Sequence, residues 1–368
     1  MQVLDRYLTK ELFSTLLAVA MVLILIIVSN RLVYYLAKAA EGAISGEVIF
    51  ILLGLKSIQV SILLLPPSFF FAVLITLGRM YRDNEMAAMA ACGIGMARIY
   101  KALLFFTLPF ALFVGGLTLY VSPWAVQQSS IVKLKGEEKK GLQGLIPGRF
   151  NEFKKGGVIF YIERLSEDEK NIFNIFIQNR QHEELGIISS ETGYQYVDPE
   201  TGDRFLVLVN GNRYVGNPGQ ADFKIVKFEK YAVRIQEKKR EGGGRVKMAS
   251  VSTEALLSMD SAAATAEFQW RLSAPLSILV LGFLAVPMSK VDPREGRYGR
   301  LFIAVLFYII YSNLSSVAQT LIEKGDIPIW LGMWWVHALV IFAALGVMTK
   351  NVGMFWMIKS WQRRPISL

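Results

Sequence analysis

The chain has 368 residues, 53% of them hydrophobic and only 19% charged, with a mean hydropathy of +0.38, a balance that excludes an ordinary soluble globular protein. Its net charge of +10 needs an explanation in terms of partners, and its single cysteine, Cys92, excludes an internal disulfide framework.

Residues 12 to 29, LFSTLLAVAMVLILIIVS, are 18 residues without a charge. At about 1.5 Å per residue they rise roughly 27 Å, close to the hydrocarbon thickness of a bilayer, and predict a transmembrane helix. The run is long for a signal peptide and lacks a small-x-small cleavage site, so it is expected to be retained. Runs at 48 to 77, 99 to 121, 269 to 289, 301 to 321 and 327 to 349 predict five more spans. Pro66 and Pro67 predict an interruption of the second, serving either a bend or a helix crossing.

Between the second and third spans, RDNEMAAMAACGIGMARIYK (82 to 101) contains a helix too short to cross, at about residues 84 to 96. Asp83 or Asn84 is expected to cap it, Glu85 suits its positive end, and Gly93 and Gly95 are expected to end it. Glu85, Met89, Cys92 and Met96 share a face at helical spacing, and methionines adapt to a partner's groove. Two readings stand side by side: an element packed only beneath its own spans, or a docking helix for a cytoplasmic motor.

Six spans leave both termini on one side. Arg6, Lys10, Arg79, Arg82, Arg98, Lys101, Lys290, Arg294, Arg297, Arg300, Lys350, Lys359, Arg363 and Arg364 gather there, against Arg31, Lys38 and Lys324 in the short segments opposite. The first side is therefore read as cytoplasmic. The positive charge reports orientation, and nucleic acid is not needed to explain it. The C-terminal MFWMIKSWQRRP (354 to 365) is expected to lie along the cytoplasmic interface as an anchor.

The polar insert, about 122 to 268, must then fold outside the cytoplasm. VIFYIE (158 to 163), RFLVLVNGNRYVG (204 to 216) and FKIVKFEKYAVRI (223 to 235) alternate apolar and polar residues, and DPETGD, NGN and NPG read as turns between them. They predict an antiparallel β domain. KLKGEEKKGLQG and KKREGGGRVK read as its exposed connectors.

No phosphate-binding G-x-x-x-x-G-K-[ST] loop, no H-E-x-x-H and no paired intramembrane carboxylates are present. The only histidines are His182 and His337, the latter read as a core or interfacial residue, and Cys92 reads as a small packing residue. Nucleotide hydrolysis and proton-coupled pumping by this chain are therefore not expected, and no metal or cofactor is implied. Arg31, Lys38, Lys56, Arg271 and Lys324 lie near the non-cytoplasmic ends of apolar spans, where anionic headgroups would be met. For any one of them, snorkelling to the interface is the plainer explanation.

Several segments together carry a family resemblance. LDRYLTKELFSTLLAV, LLLPPSFFFAVLITLGRMYRDNEMAAMAACGI, QWRLSAPLSILVLGFLAVPMS and WLGMWWVHA resemble the lipopolysaccharide export permease family, LptF/LptG, over essentially the whole chain. SNR (29 to 31), YRDNEM (81 to 86) and WWVH (334 to 337) are most similar to its LptF branch.

The resemblance implies a membrane permease half with six transmembrane helices plus a periplasmic antiparallel β-jellyroll, in the bacterial inner membrane. In domains this means residues 1 to 121, 122 to 268 and 269 to 368. It implies pairing with LptG, ATP bound and hydrolysed by two copies of a partner ATPase, LptB, and delivery of lipopolysaccharide through LptC toward the outer membrane. The short helix matches the family's coupling helix, so Asn84, Glu85, Met86, Met89, Cys92 and Gly93 are the expected ATPase-coupling residues. Arg31, Lys38, Lys56, Arg271 and Lys324 are the expected headgroup ligands. A relay subunit that binds no lipid, or an enzyme acting on lipid-linked sugars, would share the topology; the first is disfavoured by six spans, the second by the lack of clustered carboxylates or histidines at a span end.

Overall fold

A computed structural model of the chain describes residues 3–40, 46–139, 147–153, 158–166, 171–179, 185–198, 204–216, 224–234, 248–290 and 297–352. The helices are α1 Val3–Ala40, α2 Gly46–Arg82, α3 Glu85–Ala91, α4 Met96–Gly116, α5 Ser122–Lys139, α6 Thr253–Leu257, α7 Ala262–Met288, α8 Arg297–Lys324 and α9 Trp334–Val352. The strands are β1 Phe150–Phe153, β2 Val158–Leu165, β3 Asn171–Asn179, β4 Leu185–Val197, β5 Arg204–Gly216 and β6 Lys224–Arg234. The chain divides into a helical unit (1–33, 51–130, 242–368) and a unit built around the sheet (34–50, 131–241).

Among the described residues, five helical stretches are long and apolar enough to cross a membrane: Val3–Ala37, Val48–Arg82, Met96–Lys133, Ala262–Met288 and Leu301–Lys324. The sixth expected span starts later than its hydropathy suggested. Residues 329–333 form turns that include Gly332, and the apolar helix occupies only Trp334–Thr349. A Cβ on Gly332 would stand 2.0 Å from Gln269 Oε1, the atom that accepts the Met333 N–H at 3.0 Å, while Gln269 Nε2 donates to the Ile329 carbonyl. One side-chain amide of α7 thus holds both ends of that turn.

The helical unit is organised around α7. In its most apolar stretch 61% of residues are buried, against 17% for α1 and 22% for α2 and α8. Small residues allow this central position: a Cβ on Gly282 would come within 2.9 Å of the ring of Phe69, which is fully buried and stacks on Phe106 and Phe110. The outer helices keep Leu25, Ile26, Phe302, Ile310 and Phe342 exposed, apolar surface suited to lipid or to a partner span.

Two sequence expectations change here. α2 runs unbroken through Pro66 and Pro67. The third span does not stop at residue 121, because a π-helical turn at Leu117–Val121 leads straight into α5, so the helix persists to Lys139. Such a turn displaces backbone hydrogen bonds, and two threonines serve the carbonyls around it. Thr118 Oγ1 donates to the Gly115 and Arg271 carbonyls, and Thr253 Oγ1 donates to the Leu119 carbonyl.

The strands pair antiparallel in chain order, β1 to β6, as a meander in which each strand lies beside its sequence neighbour. The antiparallel β domain expected from the sequence is thus present among the described residues as this six-stranded sheet. Phe160, Ile162, Ile172, Ile175, Ile177, Ile188, Leu206 and Leu208 are buried together on one face. That face is not defined by simple alternation, for on five successive strands the inward positions skip from two residues apart to three: Ile162 to Leu165, Ile172 to Ile175, Ser190 to Gly193, Leu208 to Gly211 and Phe228 to Tyr231.

Pairing on both sides of the skip keeps one register, as in Ile162↔Ile175 and Arg164↔Phe173, so no residue is inserted. The chain instead flips side at a transverse row formed by Glu163, Asn174, Glu191, Asn210 and Glu229, all exposed. Asn174 and Asn210 take φ of 51° and 52°, a left-handed conformation that asparagine tolerates better than most residues. The predicted NGN turn is therefore a crease inside β5. The DPETGD residues 199–203, NPG and His182 lie outside the described residues, as does the C-terminal MFWMIKSWQRRP.

Candidate functional site

The loop between α2 and α4 is built as a tight return. Asn84 adopts the left-handed conformation (φ 58°) and makes no side-chain capping bond, because a capping side chain needs extended backbone to reach the first-turn N–H groups. Its carbonyl instead accepts the Ala88 N–H, and Asp83 pairs with Arg82 at 3.3 Å. The expected side-chain cap at Asp83 or Asn84 is thus replaced by a backbone reversal.

The other end of α3 comes at Ala91, short of the expected 96: Gly93 ends the helix as expected, whereas Gly95 is the N-cap of α4 and Met96 its first residue, so Met96 is not on the face of α3. Gly93 (φ 80°) donates its N–H to the Ala90 carbonyl and Ile94 donates to the Met89 carbonyl, the paired bonds of a Schellman ending.

The face of α3 differs from the one inferred from spacing. Met86 is buried in the helical core and Met89 packs against it half-buried, so the methionines anchor the helix to its own protein. Burying one such side chain contributes about 2 kcal/mol. Ala87, Ala88, Ala90, Ala91, Cys92 and Gly93 face outward, a smooth surface of small residues that lets a second backbone approach closely. Cys92 belongs to that exposed side, and Glu85 is half-buried at the helix start.

Three polar ties join this region to the first three turns of α1. The Tyr7 hydroxyl donates to Glu85 Oε2 at 2.8 Å, Arg79 Nη2 donates to Glu11 Oε2 at 2.8 Å, and Arg98 Nη2 donates to Asp5 Oδ1 at 2.7 Å. Leu8 and Leu12, each 1% exposed, fill the stripe between Asp5 on one side and Tyr7 and Glu11 on the other. Half-exposed pairs like Arg79 with Glu11 contribute under about 1 kcal/mol each, so their effect is to set geometry. Tyr7, Asp5 and Glu11 were absent from the expected site; a charge map of α1 against the ends of α2 and α4 was the signal available for them.

The five expected headgroup cations have different surroundings. Arg31 and Lys324 are exposed, the first on α1 beyond its apolar run and the second as the last residue of α8. Lys56 is half-buried on α2 and donates to Gln59 Oε1 at 2.9 Å, while Gln59 Nε2 donates to Ser129 Oγ at 3.2 Å, tying α2 to α5. Lys38 lies on α1, with its side chain outside the described residues.

Arg271 is 3% exposed. Its Nε donates to Glu267 at 3.0 Å, Nη1 to Thr253 Oγ1 at 2.9 Å, and Nη2 to the carbonyls of Met248, Ala249 and Val251. Every guanidinium nitrogen is engaged inside the fold, so this cation fastens the segment before α6 onto α7.

A second buried polar group joins α7, α8 and α9. Ser277 Oγ donates to the Ser273 carbonyl at 2.6 Å, which leaves Ser277 to accept from the Tyr311 hydroxyl. Tyr311 then accepts from His337 Nδ1 at 3.1 Å, and His337 Nε2 accepts from the Ser273 hydroxyl at 2.9 Å. The proton count closes into a ring that begins and ends on Ser273 and needs a neutral imidazole. His337 is thereby a satisfied core residue.

Comparison with known proteins places this architecture. The family described as "Lipopolysaccharide export system permease LptF/LptG" matches residues 6–350. The "Lipopolysaccharide export system permease protein LptF" of Escherichia coli strain K12 is 27% identical over 351 residues, covering 94% of this chain and 93% of its own. The proteins of that description from Escherichia coli O157:H7 and Shigella flexneri match to the same extent.

Proposed function

Because the chain belongs to the LptF/LptG family of lipopolysaccharide export system permeases, we propose that it is the permease half that a separate cytoplasmic ATPase drives through α3. The observation that carries the ATPase reading is α3 itself: a short helix between two membrane spans, anchored inward by Met86 and Met89, presenting a smooth alanine face outward. Basic residues flank it on the side that the distribution of lysine and arginine assigns to the cytoplasm. Both termini lie on that side in this reading, and the β domain lies in the periplasm.

A second, paralogous permease covers part of the exposed apolar surface, and the two enclose the lipid. Phosphorylated sugar headgroups meet Arg31 and Lys324 at the periplasmic end, with Lys56 beneath them, while acyl chains face the apolar spans. The lipid then passes to the meander, whose outer strands among the described residues, β1 and β6, offer an edge to a further β protein of the LptC kind. ATP binds to the partner and not to this chain.

The test is purification of the complex followed by photocrosslinking of lipopolysaccharide from positions in the spans. Co-purification of an ATPase with crosslinks from α1 and α8 is the expected result. An ATPase without lipid crosslinks would make the chain a relay, and neither would remove the transport reading.

A further inference from the structure

We propose that Tyr7 is a positioning residue for Glu85, orienting its carboxylate and joining α3 directly to α1; the inference rests on the coupling reading of α3 given above. Glu85 opens α3 without help from a side-chain cap at Asn84. The Tyr7 hydroxyl occupies Oε2 at 2.8 Å, and Oε1 makes no hydrogen bond among the described residues, which leaves it available to a docking partner. A carboxylate fixed through one oxygen presents the other in a defined direction, and a hydrogen bond to a charged acceptor is among the stronger kinds.

The connection has a mechanical consequence. α3 is joined covalently to α2 and α4, and both of those are also tied to α1, through Arg79 with Glu11 and Arg98 with Asp5. Tyr7 is the tie that reaches α3 itself. α1 is the least buried of the candidate spans, so a few polar ties near its start weigh heavily in where it stands. Any displacement of α3 is passed to α1 at Tyr7, and the exposed Arg31 rides on the same helix about 36 Å further along. α1 is on this reading the rod between the motor and the headgroup end.

The experiment uses the complete complex with its ATPase and paired permease, carrying Tyr7→Phe, Glu85→Ala, Glu85→Gln and the doubles with Tyr7→Phe. Assembly, ATP hydrolysis and lipopolysaccharide transfer are measured for each. Tyr7→Phe keeps the ring and removes only the donor; the complex is expected to assemble and to move about threefold less lipid per ATP, the loss of one partly exposed hydrogen bond. Adding Tyr7→Phe to Glu85→Ala is expected to cost nothing further, whereas Glu85→Gln, whose amide oxygen still accepts, remains sensitive to it.

Parental transfer per ATP by Tyr7→Phe, with Glu85→Ala defective, would overturn the role of Tyr7 and leave the coupling reading intact. Additive losses in the Glu85→Ala double would overturn it too, since Tyr7 would then act elsewhere. Parental behaviour of Glu85→Ala removes the coupling reading and this inference with it.

Discussion

Tyr311 Oη and His337 Nδ1 stand 3.1 Å apart between α8 and α9, and the proton count around Ser273 and Ser277 makes the imidazole the donor. Tyr311→Phe removes both an acceptor for that N–H and a donor for Ser277. An orphaned buried donor costs about 1–3 kcal/mol, and apolar surroundings offer no replacement. The variant is expected to lower the unfolding temperature of the detergent-solubilised protein, while His337→Lys, which brings an ammonium into the same ring of hydroxyls, lowers it further. Unchanged thermal melts for Tyr311→Phe would show that water satisfies the ring.

Arg271 and Glu267 lead to a prediction that separates structure from lipid binding. Removing one member of a buried ion pair costs about 3–5 kcal/mol because the other charge is left without its partner. Arg271→Met is expected to reduce folded yield sharply, and Arg271→Met with Glu267→Leu to recover much of it. Lipid crosslinking per folded molecule should then be near parental in the double variant, since all three guanidinium nitrogens are occupied internally. Loss of crosslinking in a well-folded double variant would return Arg271 to the headgroup set.

The membrane helices were legible because hydropathy reports the solvent that a segment faces. Where that signal ends, helix need not end: residues 122–139 are largely polar and include Pro123 and Gly136, yet α5 runs on, with Pro123 placed directly after the π-helical turn and Gly136 in the last turn. At the sixth span the error reverses, since the apolar run begins at Ile327 but Pro328 and Gly332 fold the first turn away from helix. Periodicity put Met89 on a shared face without saying which side of α3 meets the protein. Arg271 looked like other span-end cations because its acceptors are mostly backbone carbonyls of a distant segment, which carry no sequence signature. The NGN reading failed for a related reason: the same left-handed preference serves a hairpin turn and a crease within a strand.

That crease is testable at Asn210. Left-handed backbone costs a β-branched residue about 1–2 kcal/mol, while glycine adopts it freely. Asn210→Val is therefore expected to destabilise the β domain, and Asn210→Gly to be tolerated, as read by protease resistance of the full chain. Gly211→Ala should be worse than either, because its Cβ would stand 2.4 Å from the Ser189 carbonyl and 2.5 Å from the Phe228 ring. Equal protease resistance for Asn210→Val and Asn210→Gly would mean that the strand can alternate normally through this point.

Among the described side chains, Arg31 and Lys324 are the two expected headgroup residues left exposed, and their charges are chemically different. Arginine presents a planar fork that matches phosphate through two bonds; lysine acts as a point charge. Lys324 follows Glu323 and precedes Asp326, so its field is partly offset, whereas Arg31 has no acid within several residues along α1. A charge-assisted contact to phosphate contributes about 1.5–3 kcal/mol when partly shielded from water, roughly tenfold or more in occupancy. Arg31→Glu is accordingly expected to reduce lipopolysaccharide crosslinking more than Lys324→Glu, with assembly and basal ATP hydrolysis retained in both. Raising salt should narrow the difference between each variant and the parent, because screening weakens exposed charges most. Unchanged crosslinking in both variants would make these residues interfacial anchors and take the periplasmic rim out of lipid recognition.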